Sequence, residues 1–282
     1  MIIDFHAHVF PSQFRDRGPA LLSGEPAFAS IYRSPKARVV GAQDLLRNME
    51  EEGVRKSVIF GFPWEKPENY QRHNDYVLES VNRYPDRLIG FCAFSPLAPG
   101  GAGEAERCLK AGLSGVGELA VYGSGLNHDV VKALGEVMAL CVHLDVPFLL
   151  HTNEPVGHVY PGKAPMTLNE IYRFIQTYPL NRIVLAHWGG GLFFYGLMKK
   201  EVKEVLRNVW FDTAASPFLY TPQVYRVAEE IVGLDKILFG SDYPLIRPGR
   251  YLKEMASAGL SREAVDRISG GNAARFLGLS PD

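Results

Sequence analysis

Eight short apolar runs recur along this chain, and no other feature limits its fold as tightly. They lie at residues 1–10, 56–62, 87–94, 115–121, 146–151, 182–187, 209–213 and 236–242, each too short for a buried helix. Helical spacing separates them, at 43–53, 68–84, 102–111, 130–144, 167–178, 193–206 and 222–232, with a last helix at 262–277. Gly53, Pro85, Gly112 and Pro179 supply stops between the units. A strand followed by a helix, repeated eight times in 282 residues, predicts an α/β protein folded as a single (β/α)8 TIM barrel spanning 1–282. Parallel barrel strands are covered on both faces, which is why the runs are apolar throughout and do not alternate. One elaboration is expected, a long connection after the first strand at 12–40. Pro19, Pro26 and Pro35 break it too often for a long helix, yet Phe14, Phe28, Ile31 and Tyr32 give it enough apolar matter to pack as a lid.

Charge and cysteine usage exclude several functions. With 30 basic against 31 acidic residues the formal net charge is −1, so no overall field draws nucleic acid or an anionic membrane. No apolar run approaches the length of a membrane span, and the chain begins on a strand without a basic or cleavable apolar leader. A cytoplasmic protein acting on a small molecule is therefore expected, and the apolar lid suits a homodimer. Cys92, Cys108 and Cys141 are widely spaced and form no Cys-X-X-Cys pair, so they read as buried apolar residues. Gly115-X-Gly117-X-X-Ala120 matches a dinucleotide-binding fingerprint only loosely, since no helix follows it, and neither a Gly-X-Ser-X-Gly elbow nor a P-loop occurs.

The polar residues stand where barrel enzymes keep their chemistry, at the C-terminal ends of the strands. Those ends carry His6 and His8, Glu118, His151, His187, Asp212 and Asp242. Strand alternation sets Ile2, Asp4, His6 and His8 on one face and Ile3, Phe5, Ala7 and Val9 on the other, so both imidazoles point the same way. His6, His8, His151 and Asp242 supply three imidazoles and a carboxylate, a set suited to Zn²⁺ or another divalent ion such as Mn²⁺ with a position left open for water. Asp242 doubles as the base that takes a proton from that water. His187 either completes a second metal site or stays free to hydrogen-bond a developing oxyanion. Glu118 is either a bridging ligand or a partner of the ligands or substrate, and one or two ions are expected. Trp188, Arg247 and His158, all just past strand ends, are the expected substrate contacts, Arg247 by pairing with a carboxylate.

The ordered motifs resemble a family. His6-Ala7-His8-Val9-Phe10-Pro11 resembles the His-X-His-X-X-Pro opening of amidohydrolase-related proteins, the amidohydrolase 2 branch of the metal-dependent amidohydrolase superfamily. Ala186-His187-Trp188-Gly189-Gly190-Gly191, Phe239-Gly240-Ser241-Asp242-Tyr243-Pro244 and Gly271-Asn272-Ala273-Ala274-Arg275-Phe276 are similar to its later motifs. The resemblance implies His6, His8, His151 and Asp242 as metal ligands and His187 as catalytic. It departs from the binuclear members that bridge two ions with a carbamylated strand-four lysine, because no lysine lies between Gly112 and Asn127. Glu118 instead resembles the strand-four glutamate of TatD-like and some phosphotriesterase-like members. The branch holds hydrolases of lactones, amides and esters, and also non-oxidative decarboxylases resembling aminocarboxymuconate-semialdehyde decarboxylase. Hydrolysis of a small carboxylate-bearing ester, lactone or amide by metal-activated water is the first expectation, and decarboxylation on the same site is the alternative. A barrel that keeps ions only for stability, or that only binds a ligand, is the third.

Overall fold

The computed structural model describes residues 1–280, so the expected 1–282 domain runs two residues past the described range. Eight parallel strands pair in sequence order: β1 (Ile3–His8), β2 (Lys56–Phe60), β3 (Leu88–Cys92), β4 (Gly115–Leu119), β5 (Phe148–Leu150), β6 (Ile183–Leu185), β7 (Val209–Asp212) and β8 (Ile237–Leu238). Although β8 is only two residues long, the chain beyond it runs alongside β1 and closes the ring. Phe5 N donates to Phe239 O at 2.7 Å, Asp242 N to His6 O at 2.9 Å and His8 N to Tyr243 O at 2.8 Å. The fold is the (β/α)8 barrel that the apolar runs predict.

Ile3, Phe5, Val58, Phe60, Phe91, Leu149, Val184 and Leu238 fill the interior, and Ala273 and Phe276 of the last helix pack with them. A larger apolar layer lies between the strands and the surrounding helices.

β1 departs from the expected alternation. Against β2, Asp4 pairs with Ser57 and Ala7 with Ile59, so β1 carries one residue more than its neighbour between those points. Ile3 and Phe5 join the interior cluster while Ala7 and Val9 join the outer layer, so the apolar face changes sides midway. This β-bulge puts neighbouring residues Phe5 and His6 on the same side, and Asp4 no longer shares a face with the histidines.

The 12–40 connection is not a plain loop. Three short helices, α1 (Ser12–Arg15), α2 (Pro19–Gly24) and α3 (Pro26–Tyr32), cap the barrel beside β1. Pro19 and Pro26 each open a helix, where a missing N–H costs nothing. Phe14 and Phe28 each pack 4.6 Å from the Trp64 ring. The buried Glu25 carboxylate accepts from Glu65 N and Lys66 N, both at 3.1 Å, and from Asn69 Nδ2 at 2.7 Å, which pins the cap to the start of the Pro67–Arg83 helix.

Other departures have local causes. The helix expected at 193–206 is replaced by a 3₁₀ path over His187–Leu197 and a short helix at Lys200–Val205. Residues 187 to 191 all have positive φ, and at Gly190 an added Cβ would lie 2.2 Å from Asn153 O. A helix absent from the sequence reading spans Pro248–Ser257, and the expected 262–277 helix is interrupted by a π-turn at Arg267–Gly271. Among the described residues no helix is long and apolar enough to cross a membrane.

Candidate metal centre

The strand ends bring His6, His8, Glu118, His151, His187 and Asp242 into one buried cluster. Glu118 stands at its middle because Gly117, at φ +130°, lets β4 pass so close to β5 that an added Cβ would meet Leu149 O at 2.3 Å. Glu118 Oε2 lies 3.7 Å from both His6 Nε2 and His8 Nε2. Asp242 Oδ1 lies 3.7 Å from His6 Nε2 and 3.4 Å from His8 Nε2. The other oxygen of Glu118, Oε1, lies 2.9 Å from His151 Nδ1 and 3.5 Å from His187 Nε2, and the two imidazoles meet at 3.2 Å.

These spacings fit a cation. Donors about 2.1 Å from a tetrahedral ion sit about 3.4 Å from one another. The chemistry of the donors agrees: His6 Nε2 is buried with no hydrogen-bond partner, a cost seldom left in a core unless another group answers it. Two overlapping donor groups share Glu118, one with His6 and His8 and the other with His151 and His187. The five expected ligands are thus brought together. His151 reaches the cluster through Glu118 and His187, while Asp242 faces His6 and His8.

Neighbouring groups orient the donors. His6 Nδ1 donates to Asp212 Oδ2 at 2.8 Å, and Asp212 Oδ1 accepts from His187 N at 2.9 Å and Ala214 N at 3.0 Å. Asp212 therefore aims one imidazole and fixes the backbone of another. His187 Nδ1 bonds Ala214 O at 3.0 Å, which turns its Nε2 toward Glu118. The Phe60 ring packs edge-on beneath both His6 and His8, and Gly240 lets β1 and the chain after β8 close up, since an added Cβ would lie 2.7 Å from His6 Cβ.

Charge balance within the cluster is tight. Burial disfavours a proton on His6, but Asp212, Glu118 and Asp242 outweigh it and push its pKa up to about 10. Burial likewise opposes His187, which Glu118 and Asp242 still raise to about 9. Burial works against ionisation of both carboxyls, yet His151 and His6 hold Glu118 well below the usual range, and His8, His6 and His187 lower Asp242. The centre without a cation is a cage of paired opposite charges.

Two of the three expected substrate contacts, Trp188 and Arg247, are turned away from the cluster. Trp188 is fully buried, with its Nε1 donating to Ser216 Oγ at 2.9 Å and its ring against Phe193 and Tyr225, so the indole has no surface to offer a ligand. Arg247 is engaged by Asn48 at 3.0 Å, by Glu52 at 2.9 Å and by Glu51, all on the Ala42–Glu52 helix outside the barrel. His158 is exposed in the loop after β5, its ring 5.9 Å from Tyr160. The mouth is lined instead by aromatic residues that the sequence reading did not single out for the site. Tyr122 lies 5.4 Å from the His151 ring and parallel to Phe62 at 5.9 Å, and Tyr32 is 5.9 Å from Phe62. Both tyrosines have raised pKa values, first by burial and then by the facing Glu118 and Asp242 carboxylates. The ring contacts that run from His151 through Tyr122 and Phe62 to Tyr32 place these aromatics beside the donors, a proximity that spacing in the sequence does not encode.

Comparison with known proteins gives a consistent picture. The family model described as amidohydrolase matches residues 3–279. A gamma-resorcylate decarboxylase from Polaromonas sp. strain JS666 is 25% identical, the match covering 87% of this chain and 90% of that one. A 2-amino-3-carboxymuconate-6-semialdehyde decarboxylase from Dictyostelium discoideum is also 25% identical, over 99% of this chain and 92% of that one. The crystal structure of a dihydroxybenzoic acid decarboxylase from Polaromonas sp. JS666, with bound manganese and 2-nitroresorcinol, shares the fold at a TM-score of 0.73 and 21% identity, covering 100% of this chain and 98% of that one.

Proposed function

The chain belongs to the amidohydrolase family, and from that premise we propose that it is a divalent-metal-dependent, non-oxidative decarboxylase of small, flat, unsaturated carboxylic acids, hydroxybenzoates foremost. This reverses the order expected from the sequence, where hydrolysis stood first. The observation that carries the reading is the position of His187: its Nε2 lies 3.5 Å from Glu118 Oε1 and 3.2 Å from His151 Nδ1, on the side of Glu118 away from His8, and its pKa is raised to about 9. A proton donor beside a cation cradle is what replacement of a carboxylate by hydrogen requires. Two decarboxylases among the relatives support the reaction, and the aromatic mouth supports a flat substrate.

A divalent cation held by His6, His8, Asp242 and Glu118 would supply positive charge to fix the substrate's carboxylate and an adjacent hydroxyl oxygen. Manganese is the first choice, since a related structure contains it, and zinc the second. Glu118 and Asp242 stay ionised and keep His6 and His8 aimed inward. Tyr122, Phe62 and Tyr32 bind the ring and exclude water. As the bond between ring carbon and carboxylate breaks, its electron pair stays on the ring carbon, His187 Nε2 gives that carbon a proton, and CO₂ leaves. His187 is then reprotonated from solvent.

One observation favours the hydrolytic alternative. The two Glu118 oxygens face different donor pairs, so the cluster has room for a second cation on Glu118, His151 and His187, and His187 would then be a ligand with no proton to give. Metal count and reaction type are therefore linked. The test is turnover of a hydroxybenzoate panel by the Mn²⁺-loaded protein in D₂O, with metal content measured in parallel. One ion per chain, CO₂ release and deuterium at the vacated carbon are expected. No CO₂ from any acid, together with solvent ¹⁸O in the products of lactones or esters, would overturn the proposal.

A further inference from the structure

Asp4 is fully buried, touches no other member of the cluster except the backbone of His6, and has no place in the chemistry above. Its carboxylate nevertheless joins β1, which carries His6, to the segment after β8 that carries Asp242. Oδ1 accepts from His6 N at 3.1 Å and from Ser241 N at 2.8 Å, and Oδ2 accepts from the Ser241 hydroxyl. The first of these bonds spans the bulge of β1. The other two fix the residue just before Asp242. Ser241 is in turn held on both sides, because its hydroxyl accepts from Tyr243 N at 3.1 Å and its carbonyl accepts from Tyr251 OH at 2.6 Å.

We propose that Asp4 is a positioning residue for the cation centre: by clamping the β1 bulge to residue 241 it sets the separation of His6 and Asp242. This rests on the reading that those two side chains hold a cation. The need for a clamp follows from the local backbone. An extra residue in a strand leaves ladder groups unpaired and lets the strand bend, and His6 is the residue that the bulge turns inward. Asp242 has φ +60°, an uncommon state for a residue with a side chain, which persists only where its surroundings enforce it. The direct bond from Asp242 N to His6 O, 2.9 Å, fixes one point between them. Asp4 adds a second, and two points define an orientation. A carboxylate suits the task because it only accepts, and all three partners here are donors.

The test compares Mn²⁺ affinity by calorimetry in the full-length wild type, Asp4→Asn, Asp4→Ala and Ser241→Ala, with circular dichroism to establish folding and Mn²⁺ spin resonance to read site symmetry. Asp4→Ala is expected to bind Mn²⁺ at least about tenfold more weakly and with an altered spectrum, the scale on which partners of metal ligands act. Asp4→Asn keeps an oxygen for the two backbone donors and is expected to recover most of the affinity. Ser241→Ala is expected to fall between them. A purely structural role would lower the melting temperature and leave affinity and spectrum of the folded protein at wild-type values, and that result in Asp4→Ala overturns the proposal. So does Asp4→Asn binding as weakly as Asp4→Ala. If Asp4→Ala does not fold, Ser241→Ala decides: weaker binding supports the clamp and wild-type binding refutes it. A wild type that takes up neither Mn²⁺ nor Zn²⁺ overturns this inference and the functional reading together, whereas a wild type that binds beside an unaffected Asp4→Ala overturns this inference alone.

Discussion

Replacing Asp212 by asparagine tests how the centre is assembled, because that one side chain serves two functions that the substitution separates. Oδ1 accepts the backbone N–H groups of His187 and Ala214, and Oδ2 receives the Nδ1 proton of His6. An asparagine keeps the oxygen for both backbone donors. It also places an NH₂ opposite His6 Nδ1, which can then only accept. The neutral ring then keeps its proton on Nε2, the atom that would bind the cation, whereas in the wild type it is the Nε2 proton that leaves. Metal binding must reverse that tautomer and break a buried hydrogen bond. Disturbing such a carboxylate–histidine–metal arrangement costs roughly 10- to 100-fold in affinity, or about 1.4 to 2.7 kcal/mol. Alanine at 212 dictates no tautomer but abandons three donors, at about 1 to 3 kcal/mol for each left buried and unpaired. The two variants should therefore rank in opposite orders. Asp212→Asn should melt closer to wild type, and Asp212→Ala, where folded, should bind metal at least as well as Asp212→Asn. Calorimetric melting of the metal-free proteins and Mn²⁺ titration measure the two orders. If Asp212→Asn binds Mn²⁺ as tightly as wild type, His6 does not bind through Nε2 under the control of Asp212, and the reasoning fails.

Three further expectations concern pH and the backbone. Since His6 titrates near 10 without a cation, a metal that takes its Nε2 must displace a proton at neutral pH, whereas His187 keeps its own. Affinity should rise with pH and level off above that value, by up to about tenfold per pH unit for the proton displaced; calorimetry in buffers of different ionisation enthalpy counts it, and pH-independent binding would contradict the charge assignment. Burial holds His73 down to about 3, with Trp64 Nε1 donating to its Nδ1 and its Nε2 donating to Val9 O. A depressed histidine leaves stability complete above the unfolded pKa of about 6.5 and drains it as pH falls toward the folded value, about 2 kcal/mol by pH 5. Urea unfolding at pH 7 and pH 5 should show that loss in wild type and lack it in His73→Gln. Gly190→Ala should lower the melting temperature sharply, since φ is +61° and the new Cβ would meet Asn153 O at 2.2 Å, whereas Gly103→Ala, with nothing within 4 Å on the exposed side of the Gly101–Lys110 helix, should raise it.

What the sequence makes legible follows from how many neighbours a signal needs. An apolar run between two stops needs only itself, so all eight strands are readable, and a polar residue at the end of such a run belongs to the rim whichever strand lies beside it. That is why the residues read from the strand ends, His6, His8, Glu118, His151, His187 and Asp242, meet in one cluster. Trp188, Arg247 and His158 were placed by the same proximity to strand ends, but the direction of a loop side chain depends on partners from other units. Trp188 turns into the outer core because Ser216 and Tyr225 receive it, and Arg247 turns outward because the Ala42–Glu52 helix ends in carboxylates. The aromatic mouth is hidden for the same reason, as Tyr32, Phe62 and Tyr122 come from three separate connections.

The β1 bulge joins these two cases. Strict alternation yields the right answer for His6 and His8 by a wrong route, since it also sends Asp4 into the mouth and Phe5 to the outer layer. A fourth carboxylate beside Glu118, Asp212 and Asp242 would compete with them for the imidazoles and add another buried negative charge. The extra residue instead removes Asp4 to the seam with Ser241, where its oxygens meet only donors, and fills its place with a phenyl ring. One inserted residue thus separates the acid that shapes the centre from the acids that charge it. Deleting Phe5 should accordingly put β1 in plain register with β2 and leave both imidazoles facing inward while removing the ring that packs on Phe91 and Phe276, so the melting temperature should fall sharply and the folded protein should still take up Mn²⁺; a folded deletion variant that takes up none would refute this account of the bulge.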